Sequence, residues 1–314
     1  NRFYYTDNME RSAVKYSKKY RIDMTRGRDT KYMTTAKWML YAKKADFNGI
    51  GTHFHINPVI ARIIRNRDVE GETAIDRYLN GTLDQLYDPH LMKDMDKAAS
   101  LILEKIQAGA RIRIVGDYDI DGVCSTYLLY RGLSRCGGHV DYQIPERIRD
   151  GYGINESIIR KAKEDGIDTI VTCDNGIAAL EQVRLAKELG MTVIVTDHHE
   201  VVRAEDGSQI LPEADAVVNP HRDDCPYPFA GICGGVVAYK LVQVLYEQNR
   251  IPEQEWKDML EFAAIATVGD VMKLQDENRI IVRWGLKQIP HTASAGLRAL
   301  VEACGLDICN LTAY

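Results

Sequence analysis

Between residues 111 and 219, short apolar segments alternate with longer segments whose apolar residues recur at helical spacing. The short segments are rich in Val and Ile, which is typical of buried strands. Strands separated by helices predict parallel βαβ units, and therefore an α/β fold with a doubly wound, mostly parallel sheet. The predicted strands begin at Arg111 and span residues 140–144, 169–173, 192–196 and 216–219, and the predicted helices span residues 156–163, 178–189, 236–247 and 254–268.

The chain before this sheet has a helical pattern. Residues 58–65 and 94–108 place apolar side chains at helical spacing, and Asn57 followed by Pro58 is a favourable helix start. We therefore expect a helical N-terminal region over residues 33–110, packed on an α/β domain over residues 111–290. Residues 291–314 then begin a further helix, and residues 1–32 form a basic leader or extension if translation starts at Met33.

Charge is distributed unevenly along the chain. The 314 residues carry a formal net charge of −5, but residues 1–45 hold twelve Lys and Arg against four Asp and Glu, which is +8. The rest of the chain is therefore acidic, at −13. A basic arm beside an acidic body can contact nucleic acid, although a leader without a function has the same composition.

Several functional classes are excluded by the absence of their sequence signals. No apolar run approaches the length of a membrane span, and no signal-peptide pattern opens the sequence. The seven Cys form no Cys-x-x-Cys pair, which argues against structural zinc and a disulfide framework and favours the reduced cytoplasm. A P-loop and a Gly-x-Gly-x-x-Gly fingerprint are also missing from the sequence.

Acidic and imidazole side chains follow three of the predicted strands. Asp117, Asp119 and Asp121 follow the first, Asp174 follows the strand at 169–173, and the triplet Asp197-His198-His199 follows the next. In a doubly wound sheet, functional residues lie beyond the carboxyl ends of the strands. We expect these side chains to converge at one edge of the sheet.

The first of these acidic clusters has two other interpretations. Asp-x-Asp-x-Asp-Gly also begins an EF-hand loop, but the twelfth position from Asp117 is Leu128 and not the required Glu. A solvated acidic turn is the other alternative. The partner residues at the neighbouring strand ends favour a cation site over both alternatives.

The combination of ligand types indicates which cations would bind. Carboxylates favour Mg²⁺, an imidazole ligand shifts the preference towards Mn²⁺, and this many carboxylates suit two ions that share a bridging ligand. The sequence therefore predicts a two-metal site for phosphoester hydrolysis. Three histidines outside it, His53, His55 and His90, are candidate ligands too, although isolated histidines are more often structural.

The ordered motifs of the chain resemble the DHH phosphoesterase superfamily and, within it, the RecJ-like single-stranded-DNA exonucleases. The resemblance covers residues 58–285. The metal motifs are Gly116-Asp-Tyr-Asp-Ile-Asp-Gly122, Asp174-Asn-Gly176, Thr196-Asp-His-His199 and Val268-Gly-Asp270. The subfamily motifs are Tyr87-Asp-Pro-His-Leu-Met-Lys-Asp-Met-Asp96, Ile144-Pro-Glu-Arg-Ile-Arg-Asp-Gly-Tyr-Gly153, Val218-Asn-Pro-His-Arg-Asp-Asp224 with Tyr227-Pro-Phe229, and Gly231-Ile-Cys-Gly-Gly-Val-Val-Ala-Tyr-Lys-Leu241.

This resemblance assigns roles to the site residues. Asp119 is implied to hold one ion and Asp121 the other, with Asp174 bridging both. His198 and Asp270 complete the second site, and Asp117 lies close enough to ligate directly or through water. His199, acting with Asp174 and His198 in catalysis, is implied to stabilise charge or donate a proton at the scissile phosphate; orienting His198 is its alternative role.

The same comparison indicates where substrate would bind and where the chain departs from its relatives. Arg147, Arg149 and Tyr152 suggest a phosphate clamp with a base stacked on the tyrosine, as opposed to a solvated loop. Lys240 and the Gly234-Gly235 backbone could also meet phosphate, although helix packing accounts for these glycines equally well. Many relatives have a His where this chain has Val115, so the first ion is expected to be held more weakly.

The function implied by the resemblance is metal-dependent 5′-to-3′ hydrolysis of single-stranded DNA in repair and recombination, with Mn²⁺ or Mg²⁺ as cofactor. Single-strand-binding protein is an expected partner, and the bacterial cytoplasm the expected location. A phosphodiesterase of short oligonucleotides or cyclic dinucleotides is an alternative, as is a non-catalytic scaffold. Relatives continue into a second α/β domain, which we expect beyond residue 314, so this part alone should degrade long strands only weakly.

Overall fold

The computed structural model describes residues 43–148 and 151–313. The predicted leader, residues 1–32, lies outside that range. From residue 43 onward, four helices precede the sheet, together with two short 3₁₀ turns, Leu83–Gln85 and Pro89–Leu91. These helices are α1 (Phe47–His53), α2 (Pro58–Asn66), α3 (Glu72–Asn80) and α4 (Met95–Gln107). The Asn57 side chain accepts a hydrogen bond from Val59 N at the start of α2, so the predicted helix start is confirmed.

Five strands form one parallel sheet in the order β2-β1-β3-β4-β5. Each strand pairs with its neighbour in parallel register, for example Ile112 with Thr169 across β1 and β3. The direction of winding reverses between β1 and β3, which makes this the switch point of the fold. The strands are β1 (Arg111–Val115), β2 (His139–Gln143), β3 (Thr169–Cys173), β4 (Thr192–Thr196) and β5 (Ala216–Val218). The predicted α/β fold with a parallel, doubly wound sheet is confirmed.

Helices cover both faces of the sheet. Alternate strand residues such as Ile112 and Ile114 face one buried cluster, while Val115 faces the other. The first cluster includes α4, α5 (Ile120–Arg135), α8 (Gly234–Gln248), α10 (Leu260–Gly269) and α11 (Asp276–Gln288), and the second includes α6 (Glu156–Glu164) and α7 (Leu180–Glu188). The remaining elements are α9 (Glu253–Lys257), α12 (Ala295–Ala303) and the 3₁₀ turns Ile289–His291 and Ile308–Asn310.

One predicted helix is divided in the structure. The expected helix over residues 254–268 was wrong, because α9 ends at Lys257 and α10 begins at Leu260. The carbonyl oxygen of Lys257 accepts a hydrogen bond from the Gln288 side chain at 3.1 Å, and Phe262 N bonds to Met259 O at 3.1 Å. Backbone groups that a continuous helix would pair internally are therefore satisfied elsewhere, and the chain turns.

The sheet delivers its polar residues to one edge. The segments after β1, β3 and β4 all leave the carboxyl ends of neighbouring strands, and these segments carry the acidic and imidazole side chains. Among residues 43–148 and 151–313, no helix is long and apolar enough to cross a membrane.

Candidate metal centre

The turn after β1 supplies three aspartates with different environments. Asp119 caps α5 by accepting a hydrogen bond from Gly122 N at 2.9 Å, which fixes the start of the helix. Asp117 and Asp121 are each 1% exposed and point into the protein. Asp117 Oδ1 accepts from Gly153 N at 3.3 Å, while its Oδ2 is buried without a hydrogen-bond partner among the described residues.

Both oxygens of Asp121 are bound by the first turn of α8. Gly234 N and Gly235 N each donate to one carboxylate oxygen at 2.7 Å, where the positive end of the helix dipole lies. A side chain at either glycine would collide with its neighbours, since a Cβ at Gly234 would lie 2.8 Å from Asp174 Cβ. These amides therefore bind a carboxylate of the protein, and the expectation that they meet phosphate was wrong.

Lys240, one helical turn further along α8, is not available to substrate either. Its side chain is 1% exposed, and Nζ lies 2.9 Å from Tyr87 O and 3.2 Å from Glu277 Oε2. The expectation that Lys240 contacts phosphate was wrong, because the ammonium group is enclosed by its own partners.

Asp174, which follows β3, and His198, which follows β4, lie close to Asp121. His198 Nε2 lies 3.2 Å from Asp174 Oδ1, 3.4 Å from Asp121 Oδ2 and 3.7 Å from Asp270 Oδ2. Asp121, His198 and Asp270 each offer one ligand atom within 4.8 Å of one another, as do Asp174, His198 and His199. These distances bring together the residues that were predicted for the second site.

The backbone at Asp174 adopts the left-handed conformation, with φ at 59°. Aspartate tolerates this region better than most residues, but it is uncommon and is often found where a side chain must be aimed at a functional site. Asp174 Oδ1 is buried and, although His198 Nε2 lies 3.2 Å away, it makes no hydrogen bond of good geometry in the described part of the chain. A buried acceptor of this kind calls for a ligand, because leaving it unpaired is unfavourable.

The electrostatics of the cluster are those of an anionic site without a counter-ion. Burial, followed by the charges of Asp121 and Asp119, raises the pKa of Asp174 far above its usual value. Burial also raises the pKa of Asp270 to about 6, an effect that the neighbouring His198 opposes. Burial raises the pKa of Asp117 as well. A divalent cation would reverse these shifts by favouring the ionised carboxylates, so the residues present fit a metal centre.

Asp197 has a structural role that the sequence did not assign. Its Oδ1 accepts hydrogen bonds from His198 N at 2.7 Å and from the His199 ring Nδ1 at 2.7 Å, and its Oδ2 accepts from Ile177 N. Although burial opposes ionisation, these hydrogen bonds lower the pKa of Asp197. Asp197 thus fixes the ring of His199. Its position at the head of the Asp-His-His triplet was the signal that could have identified it.

His199 is the exposed member of the pair, with 45% of its side chain accessible. Burial opposes its protonation, but the hydrogen bond to Asp197 and the surrounding carboxylates raise its pKa overall. Since Nδ1 is bound to Asp197, Nε2 is the nitrogen available to a bound group. Asn219 supports this arrangement by donating to the His199 carbonyl oxygen at 3.0 Å.

The predicted substrate loop is only partly described. The Tyr152 hydroxyl donates to Asp174 O at 2.8 Å, and its ring meets the His199 ring edge-on at 5.8 Å. Burial and nearby carboxylates raise the pKa of Tyr152, so it stays a neutral phenol. The exposed Arg147 guanidinium lies 5.2 Å from the centre of the Tyr118 ring, and Arg149 lies outside the described residues.

Two further features noted in the sequence lie away from this centre. Val115, at the position of the missing His, is fully buried in the second core cluster. His90 bridges Asp96 and Glu247 at 2.6 and 2.9 Å, and His53 pairs with Glu72 at 2.6 Å. Within the described part of the chain, none of the isolated histidines joins a group of potential metal ligands.

The part of the chain that carries this centre is similar to a known protein family. Residues 111–267 match the model of the DHH family, N-terminal domain. The chain is 39% identical over 254 residues to the single-stranded-DNA-specific exonuclease RecJ of Bacillus subtilis, covering 81% of this chain and 31% of that protein. It is 32% identical over 272 residues to RecJ of Haemophilus influenzae, covering 84% and 46%.

Solved structures show the same likeness. The RecJ of Thermus thermophilus in complex with Mn²⁺ aligns with a TM-score of 0.66 at 29% identity, covering 83% of this chain and 36% of that one. An exonuclease RecJ bound to manganese aligns with a TM-score of 0.61 at 34% identity, covering 69% and 53%. The chain thus spans less than half the length of these curated relatives.

Proposed function

The chain belongs to the DHH family, and from this premise we propose that it carries the metal-dependent active site of a RecJ-type exonuclease that hydrolyses single-stranded DNA from its 5′ end. The observation that carries the proposal is the convergence of Asp121, Asp174, His198 and Asp270 at the strand ends. Two buried carboxylate oxygens, one on Asp117 and one on Asp174, make no hydrogen bond within the described region. Residues 111–290 form the DHH domain in this proposal, residues 33–110 its helical N-terminal region, and residues 291–314 the start of a linker.

Two divalent ions, Mn²⁺ or Mg²⁺, are the proposed cofactors. Asp121, His198 and Asp270 would hold one ion, Asp119 with Asp117 would hold the other, and Asp174 would bridge them. Such a pair of ions lowers the pKa of a bound water and neutralises charge on the phosphate. The choice of ions is supported by two related RecJ structures, which are complexes with Mn²⁺ and with Mg²⁺.

The protein's own residues contribute positioning and proton transfer. Asp197 holds the His199 ring through Nδ1, and Nε2 lies 3.3 Å from the Tyr152 hydroxyl. Nε2 would exchange this contact for a phosphate oxygen or the leaving oxygen when substrate binds. The raised pKa of His199 favours its protonated form, which suits both charge stabilisation and proton donation. Tyr152 keeps the wall beside His199 apolar and in place through its bond to Asp174 O.

Arg147 is the proposed contact between the protein and the backbone of the substrate. Arg147 is exposed beside the Tyr118 ring, where it can meet a phosphate while the aromatic rings stack on bases. Single-stranded DNA is the proposed substrate because the relatives are single-stranded-DNA-specific exonucleases. Single-strand-binding protein is a proposed partner and the bacterial cytoplasm the proposed location.

The test is a cleavage assay on single-stranded DNA labelled at its 5′ or its 3′ end, with Mn²⁺ or with excess chelator. We expect Mn²⁺-dependent release of label as mononucleotide from the 5′ end only, and Asp121→Asn should abolish it. Asp206→Asn, which changes an exposed aspartate in a turn, is the matched control and should cleave normally. Turnover confined to dinucleotides would instead indicate a small-substrate phosphodiesterase, and no metal-dependent cleavage of either would indicate a scaffold.

A further inference from the structure

A cavity of about 300 Å³ opens beside the metal centre and shares His199 with it. It lies between the loop that carries Tyr152 and the first turn of α7, and His199 and Tyr152 form part of its wall. Ile154 and Ile177 are both buried and supply an apolar floor. The volume is at the lower limit of pockets that take small organic ligands, which suits a single planar group.

The charges on the lining indicate which part of a nucleotide can enter. Among the described residues, neither Lys nor Arg lines the cavity, and the acidic lining residues are Asp197 and Glu200. The Asp197 oxygens are bound to backbone amides and to His199. Beyond His199, a phosphate would meet no cationic side chain of the described residues in this space, whereas a neutral ring would be accepted by its apolar floor.

Two side-chain amides line the cavity, and they differ in their bonding. Asn175 is fully used: its Nδ2 donates to Val115 O and Cys173 O, and its Oδ1 accepts from Ile154 N. Gln182, in the first turn of α7, is half-buried and makes no hydrogen bond within residues 43–148 and 151–313. One amide therefore shapes the cavity wall, and the other is available to a ligand.

We propose that this cavity binds one nucleobase of the strand whose phosphate lies at His199, with the Tyr152 ring along one side and the Gln182 amide contacting the base edge. The inference rests on the proposed function and adds a base-binding subsite to it. A side-chain amide offers a donor and an acceptor together, which is the pattern that base edges present. Glu200 at the rim can accept a hydrogen bond from an exocyclic amino group, so bases that carry one should be preferred over thymine.

The test measures binding separately from cleavage. Short single-stranded oligonucleotides carrying one 2-aminopurine, at the first, second or third position from the 5′ end, are titrated with the protein in chelator and in Ca²⁺. We expect the fluorescence to be quenched at one position only, because a base in the cavity stacks against Tyr152. Replacing that nucleotide with an abasic unit should weaken binding about tenfold.

Two variants locate the subsite. Ala178→Trp fills the mouth of the cavity and should abolish the position-specific quenching and weaken binding about tenfold, while binding of the abasic oligonucleotide stays unchanged. Gln182→Ala should keep the quenching but reduce the preference among bases. Ala108→Trp and Gln107→Ala, exposed positions that precede β1 at the opposite edge of the sheet, are the matched controls and should behave as the wild type. Thermal unfolding of all four variants verifies that each is folded.

The possible failures can be told apart. If oligonucleotides bind but no position is quenched, or Ala178→Trp affects base-bearing and abasic strands equally, the base subsite is wrong while the proposed function stands. If no oligonucleotide binds at all, the proposed function and the subsite are both overturned.

Discussion

Two groups of buried charges in this protein differ in how their charges are balanced. At the strand ends, Asp117 and Asp174 are nearly inaccessible, and each has a carboxylate oxygen without a hydrogen-bond partner in the described region. Lys240 on α8 and Glu277 on α11 are equally buried. Lys240 contacts Glu277 and donates to Tyr87 O, and Glu277 also accepts a hydrogen bond from the Tyr227 hydroxyl. The first group requires an external cation, whereas the second supplies its own.

This difference distinguishes a candidate metal site, at the strand ends, from a structural ion pair, Lys240–Glu277. A buried ion pair with every hydrogen bond made needs nothing further, and its role is to join parts of the chain, here α8, α11 and the N-terminal region at Tyr87. A buried cluster of like charges is unfavourable until an external cation compensates it. Changes at the two groups should therefore affect different properties, activity and metal binding in one case and stability in the other.

The largest effect is expected at Asp174. Asp174→Asn keeps a side chain that tolerates φ near 59° but removes a negative ligand, and it should reduce metal-dependent cleavage at least ~10²-fold. Stability of the metal-free protein should stay the same or rise, because repulsion from Asp121 and Asp119 is relieved. The measurement pairs initial cleavage rates with denaturant unfolding.

Alanine is the poorer substitution at this position, since it would add the cost of a left-handed backbone, about 1–2 kcal/mol, to the loss of the ligand. Asp68, which has φ at 62° and an exposed side chain, provides the matched control as Asp68→Asn. Full cleavage activity in Asp174→Asn with Mn²⁺ would rule out its bridging role.

The opposite pattern is expected at Lys240. Lys240→Met leaves Glu277 buried without its cation and should lower the free energy of unfolding by about 3–5 kcal/mol. Mn²⁺ affinity of the folded protein should change less than about twofold, since the ammonium contacts no metal ligand. A double variant, Lys240→Met with Glu277→Leu, should recover much of the loss because both charges are then removed. A large loss of metal affinity in the folded single variant would show that the two groups are not separate.

A pair of glycines tests how closely α8 must approach the carboxylates. A Cβ at Gly235 would lie 2.5 Å from Ala266 Cβ and 3.1 Å from Asp121 Oδ1, whereas one at Gly132 would lie 2.5 Å from Val242 Cγ2 and near no metal ligand. Gly235→Ala and Gly132→Ala should both cost about 1–3 kcal/mol through overpacking. Only Gly235→Ala should also weaken Mn²⁺ binding, by about tenfold, in calorimetric titrations. Equal metal affinity in both variants would show that the α8 amides do not position Asp121.

The smallest effect is a dependence of stability on pH. The folded-state pKa of Asp270 is raised to about 6 from its usual 3.8, so the folded protein holds a proton that the unfolded chain releases. The resulting stabilisation is complete below pH 3.8 and is lost as the pH rises through 6, and it amounts to about 3 kcal/mol in the metal-free protein. Urea unfolding between pH 4.5 and 7 measures it. Asp270→Asn should make the dependence of the free energy of unfolding on pH shallower. The stabilisation by added Mn²⁺ should grow over the same pH interval. An unchanged pH dependence in Asp270→Asn would contradict the assignment.

The strand-end cluster could be predicted from the sequence because its signals are local. Short Val- and Ile-rich segments define the strands, and parallel strands bring Asp117, Asp174 and Asp197 to one edge regardless of the details of packing. The periodicity that indicated the strands therefore also indicated the convergence of the carboxylates.

The Lys240–Glu277 ion pair and the α8 contacts to Asp121 could not be predicted, because they depend on partners that are far apart in the chain. Lys240 meets Tyr87 O across 153 positions, and Gly234 N meets Asp121 across 113. Lys240, Gly234 and Gly235 suggested substrate contacts because they lie near the predicted phosphate site. No pattern in the sequence shows that all three bind other residues of the protein instead. The break between α9 and α10 is a similar case, since Gln288, 31 positions away from Lys257, takes the carbonyl that a continuous helix would use.

The central claim is that the buried carboxylates at the strand ends are compensated by divalent cations. A titration of the metal-free protein with Mn²⁺, followed by electron paramagnetic resonance of the free ion, tests it most directly. We predict that two ions bind per chain and that Asp121→Asn and Asp270→Asn each weaken binding of one of them, while Lys240→Met retains both. Binding of no ion, or binding that is unaffected by Asp121→Asn, would contradict the account.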